Sequence, residues 1–382
     1  MAEQGRASQY MDEKREMMTT APVERLVCRM AVPTIITMLI SALYNMADTY
    51  FVGSIGTSAT AAVGIAFPLM AVIQAFGFFF GQGAGNYISR ELGALNFERA
   101  AKMASTAFFS ALIAGAALAA AGFFAVRPLA LALGSTDTIL PYALDYLRFI
   151  VIGAPWMAAS LVLNNLLRFQ GSAFYGMLGM TSGAVLNVGL DPLLIFVFGM
   201  GVGGAALATM ISQFVSCAIL LVGCTRKGNV RILPKNFSPS PAAYREMFRG
   251  GFPSLCRQGI GSIAAIATNQ FARGYGDAAI AAFSIVQRVT MFAYSALIGF
   301  GQGFQPVCGF NYGAGRYDRV KRAFWFCVKV ATVFLTLLGL VMFLAAPHIV
   351  TAFRRDDVEV IGLGTLSLRL QTLAFPLFGW VA

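Results

Sequence analysis

Ten runs of about 20 mostly apolar residues, the length that crosses the hydrocarbon core of a bilayer, most limit what this 382-residue chain can fold into. They fall at roughly 31–53, 63–88, 104–126, 142–163, 174–198, 202–224, 252–273, 283–308, 324–346 and 360–382. In lipid every backbone N–H and C=O must be paired within the protein, so runs of this length read as helices. The expected fold is an all-α polytopic membrane protein. Composition agrees, with 58% of residues hydrophobic and 12% charged, too little polar surface for a water-soluble chain of this size. Much of the glycine lies inside the spans, which suits close helix packing in lipid.

The net charge of +11 does not read as nucleic-acid binding, because the Lys and Arg residues sit between spans. There they set orientation in the membrane. A cytoplasmic N-terminus collects Arg25, Arg29, Arg90, Arg99, Lys102, Arg168 and the basic residues of 225–250 on one side. Only Arg127, Arg273, Arg354 and Arg355 are left opposite. The cysteines at 28, 217, 224, 256, 308 and 327 form no CxxC pair and read as buried thiols, not as a disulfide or zinc framework. His348 is the single histidine, which argues against histidine-based metal or triad chemistry. The first twenty residues lack the apolar core of a signal peptide. Residues 22–30 read as a short amphipathic helix that closes a cytoplasmic segment, 1–30.

An internal repeat organises the rest. Shifting the chain by 220 places Pro33 on Pro253, Phe51 on Phe271, Gly56 on Gly276, Gly81-Gln82-Gly83 on Gly301-Gln302-Gly303, and Gly93-Ala94 on Gly313-Ala314. The period holds six spans, an even number, so both halves enter the membrane from the same side. They form two six-helix lobes related by an axis along the membrane normal, a parallel repeat. The expected divisions are a first lobe at 31–224, a cytoplasmic linker at 225–250 with Pro234, Pro239 and Pro241, and a partial second lobe at 251–382. Counterparts of spans five and six are missing from the second lobe. With about ten spans present, the last two of twelve are expected to be lacking, as in a fragment.

Charged groups inside spans are costly and are usually kept for work. Two acids lie in the middle of spans, Asp48 and Asp191. Asp48 shares a helix face with Thr37, Ser41, Tyr44 and Asn45. Asn187 and Asp191 are i and i+4, hence on one face, and Pro192 should loosen the backbone after them. Thr209, Ser212, Gln213 and Ser216 form a further stripe, which suits interhelical hydrogen bonding as well as it suits function. Carboxylates, an amide and a hydroxyl suit a proton or a hard cation such as Na⁺. The second half has no mid-span acid; it offers Gln258, Asn269, Gln287, Arg288 and Met291. A cavity lined by Met, aromatic and a few polar groups would suit varied amphiphilic molecules. The motifs GQGAG (81–85) and GQGFQP (301–306) are not phosphate loops and should serve close helix contact or bending.

At these residues the chain resembles the multidrug and toxic compound extrusion (MATE) transporters, and within them the MepA-like bacterial branch. The resemblance rests on Pro33 with NMADTYFVG (45–53), LNVGLDP (186–192), GGAALATMISQ (203–213) and GQGFQPVCGFNYGAGRYDRVK (301–321). It implies export of cationic or amphiphilic drugs in exchange for inward H⁺ or Na⁺, with no other cofactor. It implies a coupling site at Asp48, Asn187, Asp191 and Thr209 and bending of the first helix at Pro33; from the polar stripe, Tyr44 and Asn45 are further candidates for the substrate cavity. A monomer in the bacterial cell (inner) membrane is the expected setting. A lipid or lipid-linked oligosaccharide flippase of related two-lobe fold is the alternative, and it would need a basic central cavity. An intramembrane enzyme using the two aspartates lacks the further motifs it would need.

Overall fold

The computed structural model describes the backbone of residues 2–226, 228–273, 277–353 and 358–381. Side chains of 2–8, 57, 258–259, 261–273, 277–281, 284, 353, 358 and 381 lie outside the description. Among the described residues the regular structure is helical throughout. The helices are α1 (Ala2–Thr20), α2 (Val23–Gly53), α3 (Thr57–Gly93), α4 (Phe97–Phe124), α5 (Val126–Ala132), α6 (Leu140–Phe169), α7 (Ala173–Pro192), α8 (Gly201–Thr225), α9 (Pro241–Arg273), α10 (Asp277–Gly313), α11 (Tyr317–Phe353), α12 (Val358–Leu373) and α13 (Phe375–Val381). A π-helical turn, Leu193–Val197, follows α7. Eight of these helical stretches are long and apolar enough to cross a membrane among the described residues. The two other expected spans fall on α9 and α10, which are equally long but run partly through side chains outside the description.

Two boundaries differ from the sequence reading. Residues 22–30 are not a separate amphipathic helix; they are the first turns of α2. The reason is the spacing of the buried face. Val23, Leu26, Val27, Met30, Thr34 and Thr37 are all buried and keep three- and four-residue steps straight through Pro33. Pro33 removes one backbone donor, and its own carbonyl accepts from Thr37 Oγ1 at 2.9 Å. The linker is shorter than 225–250, because α9 begins at Pro241. Proline suits a first helical position, where its missing N–H costs nothing. Ser240 Oγ accepts the Ala243 N–H at 3.2 Å and caps the start.

The repeat is visible in the packing. α3 and α10 begin 220 residues apart, as do α4 and α11. The two lobes meet chiefly through α2 against α10 and α3 against α9. Since α9 occupies the place of α2 in the repeat, these two interfaces are counterparts. Glycines make the approach possible, and they do so reciprocally. A Cβ on Gly93 would run into the Phe310 carbonyl, and one on Gly313 into the Arg90 carbonyl. Likewise Gly83 abuts Met247 of α9, and Gly303 abuts Ala31 of α2. The two glycine motifs therefore serve close helix contact.

The end of the bundle near the N-terminus is closed by polar contacts between lobes. Arg168, buried at the end of α6, donates to Gln302 Oε1 of α10, to Gln305 Oε1 at 3.2 Å, and to Asn165 Oδ1. Thr34 Oγ1 donates to the Gly299 carbonyl at 2.6 Å. Helix α1 straddles the seam. Its Lys14 and Arg15 bond the first lobe and linker. The carbonyls at its C-terminal end accept from Asn311, Arg316 and Arg319 of the second lobe. Helix ends leave such carbonyls without internal donors, and cationic partners suit their partial negative charge.

Candidate functional site

The polar residues of α7 and α8 meet because glycine lets the helices approach. A Cβ on Gly183 would lie 2.9 Å from Ser216 Cβ and 3.0 Å from the Ser212 carbonyl. One turn further along α7, Asn187 Nδ2 donates to Thr209 Oγ1 of α8 at 3.3 Å and to Asp191 Oδ1 at 3.4 Å. All three residues are buried. Immediately after Asp191, Pro192 ends the α-helix and the π-helical turn begins. Proline has no N–H to continue the ladder, and single π turns recur where a helix is bent to function.

Helix α2 closes the site from the third side. Ser41 and Tyr44 share with Asn187, Thr209 and Ser212 a small chamber of about 30 Å³. That is room for a water molecule or a desolvated ion. Tyr44 and Thr209 also line a larger cavity of about 410 Å³, so the chamber and the cavity share a wall. The cavity lies between the lobes. Asn45, Asp48 and Met70 reach it from the first lobe, and Arg288 and Met291 from α10 of the second.

Hydrogen bonding in this region is incomplete in one direction. Asp48 Oδ1, Asn187 Oδ1, Asp191 Oδ2 and Ser212 Oγ are buried and find no partner in the protein. Buried polar atoms are normally paired, so a cluster of exceptions calls for an explanation. All four are oxygens, and three of them, the Asn187 carbonyl oxygen and the oxygens of the two ionised carboxylates, can only accept. Such a set matches a proton or a hard cation, which binds through oxygen.

The structure thus brings Asn187, Asp191 and Thr209 into direct contact. It sets Tyr44, Asn45, Asp48, Arg288 and Met291 around the adjoining cavity. Gln287 is exposed and does not line it. Gln258 and Asn269 lie outside the described residues. Asn45 spends its amide on the Ser41 carbonyl, at 2.7 Å. The α8 stripe divides by role. All four line the chamber, but Ser216 also donates to the Gly179 carbonyl and Gln213 accepts from Ser160, which ties helices together, while Thr209 accepts from Asn187 and Ser212 Oγ has no partner. The sequence reading missed Gln74 and Tyr146, which also line the cavity. Tyr146 lies between Asp145 and Arg148 near the start of a span, and nothing in that pattern separates a cavity tyrosine from a core aromatic.

Comparison with known proteins places this architecture. The MatE family model matches residues 33–193 and 253–380, in both lobes. The multidrug export protein MepA of Staphylococcus saprophyticus is 28% identical over 370 residues, which cover 96% of this chain and 82% of that protein. Among solved structures, an outward-facing multidrug resistance MATE family transporter of the MOP superfamily matches with a TM-score of 0.87 at 28% identity. The match covers 95% of this chain and 81% of that one. A MOP superfamily transporter from Pyrococcus furiosus, in which reverse polarity of the binding pocket is said to suggest a different function, matches with a TM-score of 0.87 at 29% identity. That match covers 96% of this chain and 82% of the other.

Proposed function

The chain belongs to the MatE family, and we propose that it is a secondary active efflux transporter, exporting cationic or amphiphilic molecules in exchange for inward H⁺ or Na⁺. The observation that carries this reading is the cluster of unpartnered oxygens on Asp48, Asn187, Asp191 and Ser212, beside a cavity that both lobes line. The multidrug export role named for the staphylococcal relatives supports the substrate side.

Coupling follows from a shared charge. Asp48 faces the cavity and supplies a negative partner for a cationic substrate group. Its unpaired oxygen is also a landing place for the coupling ion, as are those of Asn187 and Asp191 one wall away. An ion that neutralises these oxygens removes the attraction holding the substrate, so the two compete, and competition of this kind makes exchange. Alternating access then requires the lobes to separate at the end closed by α1 and Arg168 while they close over the cavity. The N-terminus is placed in the cytoplasm and the chain in the cell membrane, as the distribution of basic residues implies.

Purified protein in vesicles, with Na⁺ and pH gradients imposed separately, tests the reading. Efflux of a fluorescent organic cation should follow one of the two gradients and be lost in Asp191→Asn. Efflux that ignores both gradients, or persists in that variant, would overturn it.

A further inference from the structure

Within this functional reading, the structure assigns to Arg288 the recognition of an acid group on the substrate, so that the preferred substrates are amphiphiles carrying both a cation and an anion. The described residues around the 410 Å³ cavity include two formal charges, Asp48 on α2 and Arg288 on α10. They belong to different lobes and face the same space. No ion pair joins them, and none of the ion pairs among the described residues includes either. Each charge is thus available to a ligand.

Among the described residues no carboxylate forms an ion pair with the guanidinium. Residues 258–273 of α9 contain no Asp or Glu. Asp277, on α10 itself, stands eleven residues before Arg288, which is about 16 Å along the helix axis. The other described walls of the cavity are apolar, aromatic or uncharged polar side chains, among them Val63, Tyr44, Phe67, Met70 and Tyr146. These suit an apolar ring body.

This arrangement discriminates by repulsion as well as attraction. A guanidinium with no acid partner disfavours a substrate that is only a cation, because the positive charge that Asp48 attracts sits in the same field as Arg288. A substrate with an acid at its far end turns that penalty into a charge-assisted hydrogen bond, for which the planar guanidinium fork is well shaped. When the coupling ion neutralises Asp48, the cationic end loses its partner while the anionic end keeps Arg288. Release is thus governed from the first lobe and selectivity from the second.

The test uses rhodamine B, a zwitterion, and its ethyl ester, a monocation that differs by the acid alone. Binding of each to purified full-length chain in detergent is read by fluorescence anisotropy. A charge-assisted pair predicts that the wild type binds the acid about tenfold more tightly than the ester. Arg288→Gln should bring the ratio close to one, and Arg288→Lys should restore part of the preference. A wild-type protein that binds the ester as tightly as the acid, or an Arg288→Gln variant with an unchanged ratio, would overturn the proposal. The wild-type ratio decides even where a variant does not fold. Because the ratio is measured without a gradient, a failure of ion-driven transport would count against the efflux reading and leave this inference standing.

Discussion

Two regions of this molecule bury polar groups inside a lipid-spanning bundle, and they do it in opposite ways. Beneath the cavity, Arg168 meets acceptors from its own helix and from the other lobe: Asn165, Gln302 and Gln305. The atom it leaves without a partner is a donor, Nε. Beside the cavity, Asn187 spends its amide donors on Asp191 and Thr209, and what remains unpartnered is oxygen. A fully buried guanidinium surrounded by amide oxygens fastens two lobes together. Oxygens left over in a group suit the positive charge proposed to enter and leave there. The lesson is that burial alone does not separate structure from function here; the sign of the unsatisfied atoms does.

The largest expected effect breaks the oxygen cluster. Asp48→Asn and Asp191→Asn should each lower gradient-driven efflux by about a hundredfold, and the double variant should fall little further, because groups that act as one unit are not additive. Initial rates in vesicles measure this. Losses that multiply would mean two independent sites and would break the assignment.

Stability should move in opposite directions in the two regions. Arg168→Leu strips the donors from Asn165, Gln302 and Gln305, and the unpaired oxygens should cost about 2–4 kcal/mol. Asp191→Asn removes a buried charge that lacks a full set of partners, and its melting temperature should hold or rise. Thermal unfolding in the same detergent compares them. A fall of similar size in both would erase the distinction drawn here.

A smaller effect tests the seam itself. Gly93→Ala and Gly313→Ala each push a methyl group into a backbone carbonyl of the other lobe, Phe310 or Arg90. Overpacking of this kind costs about 1–3 kcal/mol. Because the two contacts are related by the repeat, the two variants should weaken closure equally, measured as faster labelling of Cys308, which is half-buried on α10. A strong effect from one glycine and none from the other would mean that the closure is asymmetric.

Much of this was legible in the sequence because the relevant signals are periodic. Span length, the 220-residue offset and the i, i+4 step from Asn187 to Asp191 all survive as geometry. The amphipathic 22–30 stretch misled because amphipathicity also describes the end of a spanning helix that packs against a neighbour, as Val23, Leu26 and Val27 do. Arg168 was read only as a loop charge that sets orientation. Its burial depends on Gln302 and Gln305, 134 and 137 residues away, and no local pattern announces such a pairing. The GQGFQP motif showed its glycines as contact residues, yet its two glutamines, Gln302 and Gln305, do the fastening. Arg288 was visible as an isolated charge, but only the fold sets it across a cavity from Asp48.

The last effect, small for each pH unit, belongs to Lys14 of α1, a partly buried cation at the closed end. Its Nζ reaches Ser172 Oγ at 2.6 Å, Asn229 Oδ1 at 2.7 Å and the Gly228 carbonyl at 3.0 Å. These are neutral acceptors, and burial without a carboxylate beside it pushes the ammonium down from 10.5 to about 7. The docked state then holds fewer protons than the undocked one between about pH 7 and 10.5. Docking of α1 should therefore tighten as pH rises through that window and level off below it, by at most about 1.4 kcal/mol for each pH unit. Anisotropy of a fluorophore on a cysteine introduced at Gln9, an exposed site of the same helix, would follow the docking, and Lys14→Met should flatten the slope. An anisotropy that falls as pH rises, or a slope that survives the substitution, would assign the closing contacts of α1 to Arg15, Arg316 and Arg319, whose partners are backbone carbonyls. The closed end would then resemble the Arg168 cluster throughout, a set of fixed cations spent on neutral oxygens, with proton-sensitive chemistry confined to the acids beside the cavity.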